Sequence, residues 1–302
     1  MSFSLKDQKT PGKGYWKMNS SVLNDNAYIK LIEQTVQRME QKLPSISAVD
    51  WWDMFILVVR NKTINYSTQK KYTENEVKKS ILEDLEKMEA IPTDLTIEQK
   101  RQYNHLVQRH KKILEKEIQG YQIRTRGFPK YEIKEPDIEF YAKLEKRSYQ
   151  KSVIGELMEE KGTLYSDNEN IIKIATEYYT KLYTPAPVHY IKQQTLLKNV
   201  DKKLTTQKAR DLDKEITEKE LQEAVNQLRE GKSPGYDGIT SEFYKQFWYL
   251  IKGHYLKYIN LAKQTSFGEY RNISITTLIY KDKGEVYYLS NYRPISLINQ
   301  YY

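Results

Sequence analysis

Between Asp25 and Gln119 the apolar residues return every three or four positions, and two prolines, Pro44 and Pro92, cut the pattern into segments. Such spacing lays one stripe of a helix on a core and leaves the rest in water, so this stretch folds as helices. The segment "DNAYIKLIEQTVQRMEQKL" gathers Tyr28, Ile29, Leu31, Ile32, Val36 and Met39 on one side. After Pro44 a second helix carries Trp51, Trp52, Phe55, Ile56 and Val59, and its "VVRNKTINYSTQKK" end turns basic and polar. Residues 73–119 predict an antiparallel helical hairpin. Val77, Ile81, Leu85 and Met88 line one arm, and Tyr103, Leu106, Val107, His110, Ile113 and Leu114 the other. Pro92 and Asp94 break the run, and Thr96 with Gln99 makes a capping box for the return helix. Charges in the hairpin alternate in sign, which favours a solvated scaffold over a nucleic-acid surface.

Hydrophobic residues make up only 39% of the 302 positions and charged ones 29%, so extended helices with much wet surface are expected rather than one large core. Lys and Arg number 49 against 40 acidic residues, a net charge of +9. That balance favours a polyanionic partner, most simply nucleic acid. With no cysteine, disulfides, thiol catalysis and cysteine-ligated zinc fingers are excluded. His105, His110, His189 and His254 show no zinc-ligand spacing. The N-terminus lacks a signal-peptide core, and the longest apolar run, "MFILVV", is too short to span a bilayer. No membrane partner is expected, and the compartment is read as intracellular, cytoplasmic and/or nuclear.

The opening "TPGKGYWKMNSSVL" combines a Pro-Gly turn with a strand-like aromatic patch. "GYQIRTRGFPKYEIKEPD", 120–137, is the clearest linker, basic and interrupted by Gly120, Gly127, Pro129 and Pro136. Beyond it come a basic helix, a turn at Gly162 and an amphipathic helix bearing Ile171, Ile174, Ala175, Tyr178 and Leu182. Another helix follows, capped by Thr217 and Glu220, with Leu221, Ala224, Val225 and Leu228 facing inward. The fold class is mainly α with a small β portion.

Next stands "GKSPGYDGIT". Gly231 is a natural helix stop, Pro234 holds Ser233 extended, and Gly235 and Gly238 let the backbone approach another chain closely. Thr240 is placed to cap the helix "SEFYKQFWYLIKGHY", whose Phe243, Phe247, Trp248 and Ile251 supply a bulky core face. Lys232 is the one side chain aimed at an anion, and the glycine spacing is not that of a P-loop. The loop reads first as a tight turn and second as a backbone phosphate contact. Downstream, "ISITTLIYKDKG" predicts a β-branched strand ending at Lys281, and "NYRPISLIN" a second, with Pro294 forcing Arg293 into an extended pose. A Lys and an Arg so placed either meet one triphosphate or are ordinary surface charges.

Taken in order, KSPGYDG, a helix beginning SEFY, LIYKDKG and NYRPISLIN resemble the reverse transcriptase of LINE-type non-LTR retrotransposons, most strongly over 215–299. The resemblance implies that 1–25 are the C-terminal remnant of an endonuclease-like domain and 26–119 a helical connector. It also makes 120–137 a basic linker, and 138–302 an N-terminal extension with incomplete fingers of the polymerase. It assigns Lys281 and Arg293 to the phosphates of an incoming deoxynucleoside triphosphate. Lys232, Ser233 and Gly235 are assigned to the backbone of a template strand. Template and primer make RNA and DNA the implied partners. Two tyrosines depart from the family's pattern, Tyr280 before Lys281 and Tyr236 inside the loop, where proline is usual. Both loosen the backbone they occupy.

Polymerase chemistry of this kind uses carboxylates around two magnesium ions. The family carries them on a palm with an aromatic-x-Asp-Asp turn, and no two aspartates are adjacent in this sequence. The expectation is therefore a fragment without palm or endonuclease body, holding no cofactor of its own although the full family enzyme uses Mg2+. Such a fragment is inactive as a polymerase and binds nucleic acid or nucleotide phosphate at most. The alternatives are a non-catalytic basic helical interaction protein binding nucleic acid or a partner helix, and a decayed gene copy without function.

Overall fold

The computed structural model describes residues 14–41, 45–91, 95–124, 138–267 and 273–301. The protein is mainly α, with two small two-stranded sheets among the described residues. It divides into two compact units, Met1–Tyr66 with Thr180–Leu278 and Arg293–Tyr302, and Ser67–Tyr179 with Ile279–Tyr292.

In the first unit, a short 3-10 turn at Ser20–Asn24 leads into α1, Asn26–Glu40, whose N-cap Asp25 accepts from the Ala27 N–H. The face that α1 buries is Tyr28, Ile32, Thr35, Val36 and Met39. Helix α2, Ala48–Glu89, is one continuous element of 42 residues. The basic, polar "VVRNKTINYSTQKK" is thus helix interior and not a helix end. Nothing in it breaks a helix, since it holds neither Pro nor Gly.

Two further elements are α3, Ile97–Arg124, and α4, Ile138–Ser152, both in the second unit. Strands β1, Leu157–Met158, and β2, Leu164–Tyr165, pair antiparallel around Gly162 at φ +87°. The chain continues through α5, Asn168–Tyr183, α6, Tyr190–Lys198, and α7, Thr206–Asp213, none of which buries a residue. Helix α8, Glu218–Gln227, starts on the predicted Thr217–Glu220 capping box, and α9, Ser241–Gln264, is the longest helix of the chain's second half. Strands β3, Ile275–Tyr280, and β4, Tyr292–Leu297, form the second sheet.

The core of the first unit is aromatic. Trp51, Trp52, Phe55, Phe243, Phe247, Tyr28 and Tyr258 are 0–1% exposed. Trp51 lies flat on Phe55, centroids 5.3 Å apart, and stacks on His254 at 4.3 Å, while its Nε1–H donates to the Met39 carbonyl at 3.0 Å. Flat and tilted ring pairs add to the area each ring removes from water. The Tyr28 hydroxyl bonds the Thr63 hydroxyl at 2.6 Å inside this core, and burial pushes its pKa up to about 12.

The second unit is held differently. Ile81, Leu85 and Leu106 form its small core, with Met88, Tyr103, Val107 and Ile113 around them. The hairpin predicted at 73–119 is therefore present, as α2 and α3, and Thr96 and Gln99 exchange both capping bonds. α4 packs on α3. The linker read at 120–137 is helical in α3 through Arg124, and its remainder lies outside the described residues.

Candidate nucleic-acid interface

The loop 231–240 is held by parts of the first unit far away in sequence. Met18 N–H donates to the Gly238 carbonyl at 2.9 Å, and the Tyr15 hydroxyl to the Pro234 carbonyl at 3.5 Å. Arg60, from α2, donates to the Tyr236 carbonyl at 3.3 Å. Its guanidinium lies 5.4 Å from the Tyr236 ring centroid and 5.9 Å from that of Trp16. From the other end of the sequence, Asn299 Oδ1 accepts the Asp237 N–H at 3.1 Å. Three separate segments thus fix one short loop.

Both interior glycines are there for close approach to the protein's own chain. A Cβ on Gly235 would lie 2.4 Å from the backbone of Ile298 and Asn299. Gly238 has φ +74°, and a Cβ there would meet the Trp16 carbonyl at 2.4 Å. Gly231 takes the left-handed conformation, φ +68°, but α8 has already ended at Gln227. The glycine serves the turn after the helix, where its N–H donates to the Glu242 carboxylate at 2.6 Å. Thr240 is the N-cap of α9, but its side chain makes no capping bond and its hydroxyl meets Ser20 at 3.3 Å instead.

Asp237 is 4% exposed. Its Oδ1 accepts the Ile239 N–H at 2.9 Å, while Oδ2 has no hydrogen-bond partner among the described residues. The equally buried Tyr244 hydroxyl is near enough to favour the ionised form, yet lies outside hydrogen-bond geometry. Burial raises the Asp237 pKa to about 7, against the opposing pull of the Ile239 N–H, Arg60 and Tyr244. Lys232 and Ser233, by contrast, are exposed, and their N–H groups have no partner among the described residues. The loop buries a carboxylate that is half-neutral near pH 7 and presents a cation, a hydroxyl and two backbone donors outward. That is a surface able to take an anion.

Lys281 belongs to the second unit and Arg293 to the first. The Lys281 backbone N–H donates to the Asn291 carbonyl at 2.8 Å, and its ammonium donates to the Ser290 carbonyl at 2.6 Å, closing the turn 281–291 on itself. Arg293 is exposed on β4, extended as Pro294 demands, and its guanidinium has no hydrogen bond or ion pair with a described residue. Tyr236 and Tyr280 both make contacts. Tyr236 lies over Arg60, while Tyr280 donates to the Gly284 carbonyl and packs on Tyr292 at 5.5 Å. Sequence reasoning missed Arg60, Asn299 and Trp16. The only local sign was Trp16 beside glycines.

No family model matches the chain. The chain is nonetheless similar to one transposon protein. It is 26% identical, over 298 residues and 97% of its length, to the Transposon TX1 uncharacterized 149 kDa protein of Xenopus laevis. It spans 22% of that relative's length. Among the described residues no helix is long and apolar enough to cross a membrane, and no cluster of three or more His, Asp or Glu is arranged to hold a metal ion.

Proposed function

We propose that the chain is the connector and fingers portion of a non-LTR retrotransposon RNA-directed DNA polymerase. On this reading Lys232 and Ser233 contact a template backbone, with Gly235 setting the depth of their loop. Arg293 and Lys281 contact the phosphates of an incoming deoxynucleoside triphosphate. The observation behind the reading is the likeness, over 97% of this chain and 22% of the relative, to a transposon protein. It is supported by a loop whose exposed residues include a lysine ammonium and a serine hydroxyl and no carboxylate, while its interior glycines, Gly235 and Gly238, are consumed by internal packing. Arg293 has the freedom a phosphate ligand needs. The Lys281 ammonium must first leave the Ser290 carbonyl. Two-metal nucleotidyl transfer needs carboxylates, and none of these five residues supplies one. The stretch grips, and does not itself make the new bond.

The test is nucleotide binding by the purified chain, followed with a fluorescent deoxynucleoside triphosphate. Arg293→Ala should weaken it about tenfold, the worth of one charge-assisted hydrogen bond. Lys257→Ala, an exposed cation of α9, should leave it unchanged. Equal effects of the two substitutions remove the assignment of Arg293.

A further inference from the structure

We propose that the outer face of α3 is a binding surface for duplex RNA, separate from the loop 231–240. Over the whole hairpin the charges are mixed, but the structure sorts them by helix. On α2 from 67 to 89 five lysines stand with six carboxylates. On α3 from 99 to 114 there are five Lys and Arg, two His and no carboxylate at all. Of the acids around this stretch, Glu117 is taken by Lys78 at 2.7 Å and Lys71 at 3.6 Å and Glu74 by Lys116, while Glu98 and the exposed Glu115 bound it at its two ends.

The cations of α3 also point the right way. Tyr103, Leu106, Val107 and Ile113 face the small core of the hairpin. Arg101, His105, Gln108 and Lys112, spaced four, three and four residues apart, line the opposite side, flanked by Lys100, Arg109 and Lys111. All seven are exposed. Of the five Lys and Arg only Arg101 has an acidic neighbour among the described residues, Glu98 at 3.7 Å, an exposed pair of little worth. Between Arg101 and Lys112 the stripe runs about 17 Å along the axis, enough to meet several phosphates.

Charge complementarity calls for a polyanion, and the side chains between the cations narrow its kind. No Phe, Tyr or Trp lies on this face and His105 is its one ring, so it has no run of platforms for successive unstacked bases, which disfavours a single strand. Instead the amides of Gln102, Asn104 and Gln108 interleave with the cations, all exposed. Amides that donate and accept suit the 2′-hydroxyls displayed in the shallow minor groove of an RNA duplex, which B-form DNA lacks.

The experiment measures salt dependence of binding by the full chain to an RNA duplex longer than the ~16 base pairs that a compact duplex-binding module covers. The variant Lys100→Gln, Arg109→Gln, Lys111→Gln, Lys112→Gln should lower the log-log salt slope by about three units. A control that neutralises Lys79, Lys87, Lys143 and Lys252, each already ion-paired, should change it little. Duplex DNA and single-stranded RNA of the same sequence should lose less. As a readout independent of any substitution, bound duplex RNA should protect Lys111 and Lys112 of the unaltered chain from acetylation. An unchanged slope, an equal fall in the control, an equal loss on duplex DNA or single-stranded RNA, or unprotected lysines would each overturn the proposal. Because the loop is untouched in the variant, failure here leaves the nucleotide-binding test standing on its own.

Discussion

The two units are built by different means. The first buries about as many aromatic side chains as branched aliphatic ones, with Trp51, Trp52, Phe55 and Tyr258 linked by ring contacts and Phe243 paired with Phe247. The second relies on a narrow seam, three buried aliphatics along two long helices, with ion pairs bridging the rim. Helices of 42 and 28 residues contribute their own backbone bonds, and a thin seam suffices to pair them. The consequence is that the loop 231–240 is fixed where packing is dense, and charge is displayed where packing is thin. All four tryptophans, Trp16, Trp51, Trp52 and Trp248, lie in the first unit. Their fluorescence reports that unit alone, whereas helical circular dichroism reports both.

Core truncation should separate the units most. Trp52→Ala removes a ring that is 0% exposed and touches Trp51, Phe55, Tyr255, Tyr258 and Tyr301. A loss of about 4 kcal/mol is expected from the remaining tryptophan fluorescence in urea. Leu106→Ala, at the seam and 7% exposed, should cost about 2 kcal/mol, seen in circular dichroism and not in fluorescence. If both probes move together for both variants, the division into two separately stabilised units is wrong.

Gly238→Ala comes next, at about 3 kcal/mol. It combines a positive φ with a Cβ that would meet the Trp16 carbonyl, which is backbone and cannot swing away. Gly162→Ala in the second unit shares the positive φ, 87°, but opens onto empty space, so only about 1 kcal/mol is expected. Equal losses would mean that the approach of residues 14–18 to the loop contributes nothing.

Asp237 gives the first unit a pH dependence of unusual sign. The folded state holds a proton up to about pH 7 that the unfolded chain releases near 3.8. Stability is therefore fully present below that lower value and declines as pH rises through about 7. Asp237→Asn keeps the acceptor for Ile239 and removes the buried charge. It should stabilise the unit by about 2 kcal/mol at pH 8 and do little at pH 4, by urea midpoints read in fluorescence. A substitution that destabilises equally at both pH values would show that the ionised carboxylate is held by Arg60 after all.

Local signals were legible in the sequence and long-range ones were not. The capping boxes at Thr96 and Thr217, the hairpin seam and the extended pose of Arg293 each depend on residues within a few positions of one another. The unbroken length of α2 was missed because polarity was taken for an ending, although helix interiors tolerate polar residues wherever one face meets water. The amphipathic face of α5, with Ile171 and Ile174, forms as a helix, but the structure buries none of it. Periodicity states which residues can pack and not whether anything packs on them. For the loop, spacing identified the glycines but not their neighbours: Trp16 and Asn299 lie 222 and 64 residues from the glycines they crowd. The packing of the Tyr236 ring on Arg60 needed the helix 176 residues earlier to be seen.

The smallest expected effect has the opposite pH sign and lies in the second unit. Partial burial works against the charge of Glu117, but the ammonium groups of Lys78 and Lys71 outweigh it and hold its pKa below the ordinary 4.5. The pair's contribution is present above pH 4.5 and is lost as pH falls through and below that value, since protonation removes the acceptor both lysines use. Water reaches all three side chains, so the contribution is at most about 1 kcal/mol. Glu117→Gln should lower the urea midpoint seen by circular dichroism at pH 7, leave it alone at pH 3, and leave tryptophan fluorescence unmoved at both. Acid thus loosens the hairpin while base loosens the aromatic unit. A titration in which both probes fall on the same side of neutrality would refute that pairing, and would move the origin of the first unit's pH dependence away from Asp237.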